Sequence, residues 1–266
     1  MMRFYISSTS LLLTFAVATP TAAQTGGQTS AIQAVAEIRD YSDDLGSLRT
    51  VRIEYELDND DLTLVISPAL GQRISPDMEV TAAGLGGTLY LKIAEGLTTR
   101  SQVFLAEDKP VFVNRDFAQD LSFNLTSTTV ATLGARWATH YRNRDLVYLN
   151  AGIRQYFKGG SVAYRYSRID PDIGDAFGSH LVNLSVEDPR GTGKTQLWLA
   201  YGQTNPDLFD PALTFSGDDF GVTVRRVQPI GGGFSLVGTG GYASYDRPLG
   251  RASATTFGLG FRLDVN

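Results

Sequence analysis

Two histidines, several serines and a glycine–lysine–threonine triplet are the residues of this chain whose types suit catalysis. His140 and His180 are its only imidazoles, and a lipid hydrolase would need one of them as general base within reach of a serine nucleophile. Ser179 and His180 are sequence neighbours, so on a strand they point to opposite faces and do not pair directly. Ser161, Ser167 or Ser185 on another strand would have to serve His180; the plainer reading is a structural histidine. His140 stands beside Tyr141 and Arg142, where a solvated or hydrogen-bonded ring needs no special role. Gly193-Lys194-Thr195 has the form of the tail of a phosphate-binding loop, but the glycine that such a loop needs five positions earlier is Asp188. A carboxylate there repels phosphate, and turn chemistry explains the segment better. Asp170, Asp172 and Asp175 cluster as acids for proteolysis would, or as a weak Ca²⁺ or lipopolysaccharide-bridged ion site.

A second chemistry, electrostatic selection of a solute, rests on charges at alternate positions: Arg52, Glu54, Glu56, Lys92, Arg136, Arg154, Arg165, Arg225 and Arg262. Both signs occur. Either these groups pair across an enclosed interior and solvate it, since an unpaired buried charge is costly, or arginines among them form a constriction that selects an anion or a sugar chain. Arg136, Arg154 and Arg165 are the three that adjacent strands would bring together.

The elements that position them have a period of two. Val51, Ile53, Tyr55 and Leu57 alternate with Arg52, Glu54 and Glu56; the same pattern returns at Leu121, Phe123 and Leu125, at Val162, Tyr164 and Tyr166, and at Phe257, Leu259, Phe261, Leu263 and Val265. Turn signals between such runs divide the chain into about fourteen strands, or twelve if the first hairpin is lost; bacterial barrels have even numbers. Pro68 to Leu85, Asp108 to Phe117, Asp170 to Phe177, Thr204 to Ser216 and Tyr245 to Ala252 are expected as loops at one end. Short turns at Asp58 to Asp61, Gly96 to Thr98, Lys158 to Gly160 and Pro229 to Gly232 are expected at the other. Pro68 to Leu85 is the loop expected to fold inward if the interior is plugged. Trp137, Tyr141, Phe157, Tyr164, Tyr166, Tyr201, Phe220 and Tyr242 suit the aromatic belts at a lipid–water boundary.

Arg3, the apolar run Leu11 to Ala18 and Thr21-Ala22-Ala23 have the order of a secretory signal. Residues 1–23 are therefore expected as a leader and 24–266 as one barrel domain. After the leader no apolar run spans a bilayer, and only helices or closed barrels satisfy every backbone polar group in lipid. The fold class expected is all-β, a transmembrane antiparallel up-and-down barrel. The chain of 266 residues has no Cys, 28 Gly, 14 Phe and 12 Tyr, which excludes disulfides and cysteine-bound metal. Its mean hydropathy is slightly negative, as alternation of lipid-facing and lumen-facing residues produces. A net charge of -5 argues against nucleic acid. Nothing points to a cofactor.

Three stretches carry a resemblance. They are Pro110-Val111-Phe112 with Arg115-Asp116-Phe117 and Gln119-Asp120; Asp188-Pro189-Arg190-Gly191-Thr192-Gly193 with Thr195-Gln196-Leu197-Trp198-Leu199; and Val227-Gln228-Pro229 with Tyr245-Asp246 and Pro248. Tyr164-Arg165-Tyr166 adds a fourth. On these the chain resembles the YaiO-like family of outer-membrane β-barrels over most of its mature length. The resemblance implies the outer membrane of a Gram-negative bacterium, with lipid, lipopolysaccharide and the barrel assembly machinery as partners, and it supplies no catalytic residues. The chain departs from such barrels at Asn266, where they commonly end in an aromatic residue. The function expected is a non-enzymatic barrel, a narrow pore or an envelope interaction protein; the alternatives are a lipid hydrolase and a surface receptor or polysaccharide-secretion partner.

Overall fold

The alternating segments are strands of one antiparallel sheet that closes on itself in the computed structural model, which describes residues 29–42, 45–189, 192–202, 219–247 and 250–265. The expected leader, Arg190, Gly191, the Thr204 to Ser216 loop, Pro248 and Asn266 lie outside the described residues. The first seven strands are β1 Thr29–Tyr41, β2 Ser47–Asp58, β3 Leu62–Ser75, β4 Met78–Ala94, β5 Leu97–Ala106, β6 Arg115–Asn124 and β7 Thr129–His140. They are followed by β8 Arg144–Phe157, β9 Gly160–Pro171, β10 Phe177–Glu187, β11 Lys194–Gly202, β12 Asp219–Gly231, β13 Phe234–Arg247 and β14 Gly250–Val265. Each strand pairs with its sequence neighbours, and β1 closes the ring on β14 from Ser30↔Val265 to Tyr41↔Ala254. Fourteen strands are thus present among the described residues, and the first hairpin belongs to the barrel.

Closure removes the free sheet edge that would be intolerable in lipid. Because the side-chain period is two, it also turns one face of every strand inward. Ile53, Leu133, Phe257 and Leu259 stand on the outer face, Leu259 at 70% exposure. An apolar belt of this extent, open to water, would drive association; against acyl chains it is solvated. Gln33, Asp116, Asp120 and Arg136 are buried on the inner face. The faces are therefore inverted relative to a water-soluble domain.

Three expectations about loops are corrected, the first being Tyr245 to Ala252, where β13 and β14 stay paired from Tyr245↔Ala252 to Arg247↔Gly250. Pro68 to Leu85 is no loop: β3 and β4 pair continuously through it from Leu62↔Leu91 to Ser75↔Met78. Ala69, Gly71, Ala82, Gly84 and Gly86, which read as loop formers, are small inward-facing residues of this long hairpin. Pro68 is accommodated because the β2–β3 ladder omits Ile53 and Glu54, opposite Pro68 and Ser67, where a residue without an N–H has nothing to donate. The segment that does fold inward is the β5–β6 loop, residues 107–114. Val111, Phe112, Val113 and Asn114 are all buried. Val111 and Phe112 pack with Tyr41, Leu48, Ala69, Ala82, Tyr245 and Ala254, while Val113 packs with Ala138, Leu146, Tyr148 and Ile169 across the barrel. The rim opposite Thr29 and Val265 is in this way filled by an apolar core inside the lumen.

Candidate functional site

The inner wall below this loop carries the charges. β5 and β6 place Arg100 and Asp120 directly opposite each other, with Nη1 donating to Oδ2 at 3.0 Å. Arg165, on β9, donates to the same Oδ2 at 3.2 Å. Asp116 is four residues from Asp120 on the same face and receives Arg136 in a two-pronged pair, Nε at 2.7 Å and Nη2 at 2.8 Å. The Arg136 guanidinium also lies 4.8 Å from the centre of the Tyr148 ring. The three arginines therefore occupy one wall in a fixed arrangement, since planar guanidinium–carboxylate pairs are geometrically specific.

The facing wall is built by β1, β2, β12 and β14. Gln33 bridges it, donating Nε2 to Glu54 at 2.8 Å and accepting from Arg225 Nη2 at 2.6 Å. Arg262 donates to Glu56 at 3.2 and 3.4 Å and to Asp264 at 2.8 Å. Glu37 lies within the fields of Arg39, Arg52 and Arg225. Arg154 donates to Ser161 Oγ at 2.9 Å and lies 6.0 Å from the Tyr156 ring centre. Lys92 is at the rim that bears Thr29, 3.9 Å from Asp61 and half exposed, away from both walls.

Of the nine charged positions taken from the sequence, Arg136 and Arg165 join one wall through Asp116 and Asp120, and Arg154, diagonal to Arg165 across the β8–β9 pair, shares a small cavity with it without joining those carboxylates. Arg52, Glu54, Glu56, Arg225 and Arg262 form or adjoin the other wall. Sequence reasoning missed Gln33, Glu37, Arg39, Arg100, Asp116 and Asp120. Asp116 and Asp120 were in reach of the period-two pattern, because Phe117 and Leu121 between and beside them are outward and exposed.

Between the walls is a chamber of about 290 Å³, lined by Arg52, Glu54, Glu56, Arg100, Asp120, Arg165 and Tyr148 and roofed by Phe104, Phe112 and Val113. Its volume is at the small end of ligand pockets.

The other chemical expectations resolve locally. His180 faces outward, in register with Tyr166 on β9 and Tyr201 on β11, and Tyr201 with Phe220 on β12. These four rings form a band across adjacent strands on the lipid face. His180 Nδ1 is 2.8 Å from the Tyr164 hydroxyl. Ser161, Ser167 and Ser185 have inward parity, so the wall of the barrel separates them from His180. His140 corrects the expectation of a solvated or hydrogen-bonded ring: it is buried at 3% exposure with neither ring nitrogen paired. Asp170 and Asp172 are taken up by Arg168 and Arg144, both at 3.2 Å, and no set of three metal-ligating side chains converges among the described residues. Trp137 stacks on Phe117 on the outer face, ring centres 5.5 Å apart.

Asp188, the residue that breaks the phosphate-loop pattern, holds a turn. Arg226 donates Nη1 to Asp188 Oδ1 at 2.8 Å and to Thr195 Oγ1 at 2.9 Å, and its Nη2 pairs with Asp188 Oδ2. These bonds hold the Asp188 carboxyl below the usual carboxylate range. Asp188→Ala should free the 188–195 turn, seen as faster amide hydrogen exchange there with unchanged global unfolding. Equal exchange in both proteins would show that Arg226 does not hold the turn.

A protein-family description, YaiO membrane beta barrel domain, matches residues 29–206. Among solved structures, the chain is similar to a CymD monoaromatic hydrocarbon channel, with a TM-score of 0.63 and 8% identity over 91% of this chain and 90% of that one. It is also similar to a bacterial polysaccharide outer membrane secretin, with a TM-score of 0.55 and 8% identity over 89% of this chain and 98% of that one. At such identities the likeness is one of fold.

Proposed function

We propose that this chain, which belongs to the YaiO membrane β-barrel family, is a non-enzymatic, narrow outer-membrane channel whose lumen arginines favour anions and whose outer mouth is narrowed by the 107–114 loop. The observation that carries this reading is the charge of the lumen. The protein as a whole has a net charge of -5, yet Arg39, Arg52, Arg100, Arg136 and Arg165 line the chamber against Glu54, Glu56, Asp116 and Asp120, with Arg154, Arg225 and Arg262 close by on the same face. A low-dielectric wall focuses such a field along the axis and raises the local concentration of the opposite charge.

On this reading the barrel sits in the outer membrane of a Gram-negative bacterium, its leader removed near Ala23. Acyl chains and lipopolysaccharide contact the aromatic belts, and the barrel assembly machinery inserts it. The loop-bearing rim faces outside, since barrel termini return to the periplasm. Single-channel recording of the refolded protein in a planar bilayer, under a salt gradient, tests the proposal. Small, stable conductance steps with a reversal potential of anion-selective sign are expected. Insertion without steps at any voltage, or cation selectivity, would overturn it and turn attention to the far rim as a receptor surface.

A further inference from the structure

The chamber is polar on one side and apolar on the other, and its hydrogen-bonding capacity is unbalanced. Its carboxylates are engaged: Glu54 by Gln33, Glu56 by Arg262, Asp116 by Arg136, and Asp120 by Arg100 and Arg165. Donors are left over. Arg52 lines the chamber without a hydrogen bond or ion pair among the described residues; Glu37 feels its charge but is itself shared with Arg39 and Arg225. The Tyr148 hydroxyl, on a side chain only 6% exposed, lines the chamber and makes no hydrogen bond among the described residues. Asn150 uses its Oδ1 to accept from Ser167 Oγ at 2.6 Å, and its amide donors make no hydrogen bond among the described residues. A cavity with spare donors, a surplus of cations and satisfied acceptors is complementary to a ligand that only accepts.

The apolar side stands next to Arg52. Thr50 and Gly71 are paired across β2 and β3, and Arg52 pairs with Ala69, one inward step further along. The Phe112 ring rests on Gly71, where its Cζ lies 2.6 Å from the place a Cβ would take. Phe104 packs edge-on against Phe112, ring centres 5.8 Å apart at 71°, and reaches over Gly86 on β4, its ring 3.2 Å from the Cβ position there. Ser67 and Gly86 thus leave the wall thin between Arg52 and the two rings. A guanidinium with no hydrogen bond or ion pair among the described residues and two apolar rings bound one corner of a chamber that is narrowed above by the loop.

We propose that this corner binds a small organic acid: a single carboxylate held by Arg52, on a ring-sized apolar body that lies against Phe104 and Phe112. The assignment rests on the lumen being the solute path and names the class of solute that the path takes. Inorganic anions would satisfy Arg52 but leave the two rings without contact; neutral apolar solutes would fill the rings but offer Arg52 no acceptor.

The test is equilibrium binding to the full refolded chain in detergent. Of the two tryptophans, Trp198 lines the chamber and Trp137 faces lipid, so Trp137→Phe leaves Trp198 as the reporter. Cyclohexanecarboxylate, which does not absorb at the wavelengths used, should give a saturable change in Trp198 emission. Acetate and cyclohexylmethanol should each bind at least about tenfold more weakly, and Arg52→Gln should weaken the acid by about tenfold, a loss of about 1.4 kcal/mol. Arg52→Lys, which keeps the charge and guards against a folding artefact, should recover part of the affinity. Equal binding of acid and alcohol, an unaffected Arg52→Gln protein, or no saturable response to the acid would each overturn the proposal. Failure here is separable from failure of the channel reading. A protein that conducts anions but ignores the acid loses only the solute class; one that binds the acid but never conducts keeps the site and loses the channel.

Discussion

Gly71→Val should widen the barrel mouth, raising single-channel conductance severalfold and making the loop cleavable by chymotrypsin after Phe112. The reason is steric. A Cβ at position 71 would stand 2.5 Å from Val111 Cγ1 and 2.6 Å from Phe112 Cζ, and both side chains belong to a packed cluster with Tyr41, Leu48 and Ala82. Overpacking of this kind costs about 1–3 kcal/mol. The β3 strand is laddered on both sides, whereas the loop hangs on fewer bonds. Lys109 Nζ donates to Thr81 O at 2.8 Å, and Glu107 Oε2 accepts from the Ala83 N–H at 3.0 Å and from Lys109 at 3.1 Å. The loop should therefore yield and the strand stay. An unchanged conductance with the loop still resistant to chymotrypsin would mean that it is not the barrier.

Acid should loosen the same loop by another route. The Ala83 N–H and the Lys109 ammonium hold the Glu107 carboxyl below its ordinary value of 4.5. A group whose folded value is depressed contributes its stability above the ordinary value and loses it as pH falls through the folded one. Chymotrypsin cannot be used in acid, so pepsin susceptibility of the loop between pH 5 and pH 3 is the measurement. It should rise in the wild type and be high throughout in Glu107→Gln.

Asp120→Ala should be the most destabilising single change in the lumen. Asp120 is the shared partner of Arg100 and Arg165, and the three side chains are 5, 11 and 12% exposed. Its removal takes away the carboxylate that the two cations share, and breaking a buried pair by taking one partner costs about 3–5 kcal/mol. Urea unfolding in lipid vesicles should show a midpoint shift of that size, with increased anion selectivity in the folded fraction. Gly134→Ala should reproduce part of it, because a Cβ at 134 would overlap the Asp120 carboxylate and push it off its arginines. A wild-type midpoint for Asp120→Ala would show that water and ions solvate the two guanidinium groups well enough to make the pair dispensable.

Much of this architecture was legible in the residues. Val51, Ile53 and Tyr55 against Arg52, Glu54 and Glu56 showed a strand with one apolar and one charged face, and repetition of that pattern to Val265 without a membrane-length apolar run left a closed barrel as the solution. The hairpin of β3 and β4 was misread because glycine and alanine carry no polarity signal. In Pro68 to Leu85 they mark thin wall facing a plug, not a turn. His180 was legible as lying on the face opposite to Ser179, but whether that face met lipid or lumen followed only from its neighbours Tyr166 and Tyr201.

The sequence by itself determined the class of fold, the sidedness of nearly every strand and the sign of the charges within, because the period of two is a local property of extended backbone and lipid accepts only one face of it. Tertiary structure decided which charges meet and which loop narrows the mouth. Arg262 meets Glu56 across 206 positions, and Arg225 meets Gln33 across 192, through the closure of β1 on β14. Arg136 chose Asp116 over its expected company because registers between strands, set by the turns and by ring closure, carry no mark in any one strand. Arg52 makes no hydrogen bond or ion pair among the described residues for the same reason, which lies in the stagger of the whole barrel rather than in anything adjacent to it in the chain.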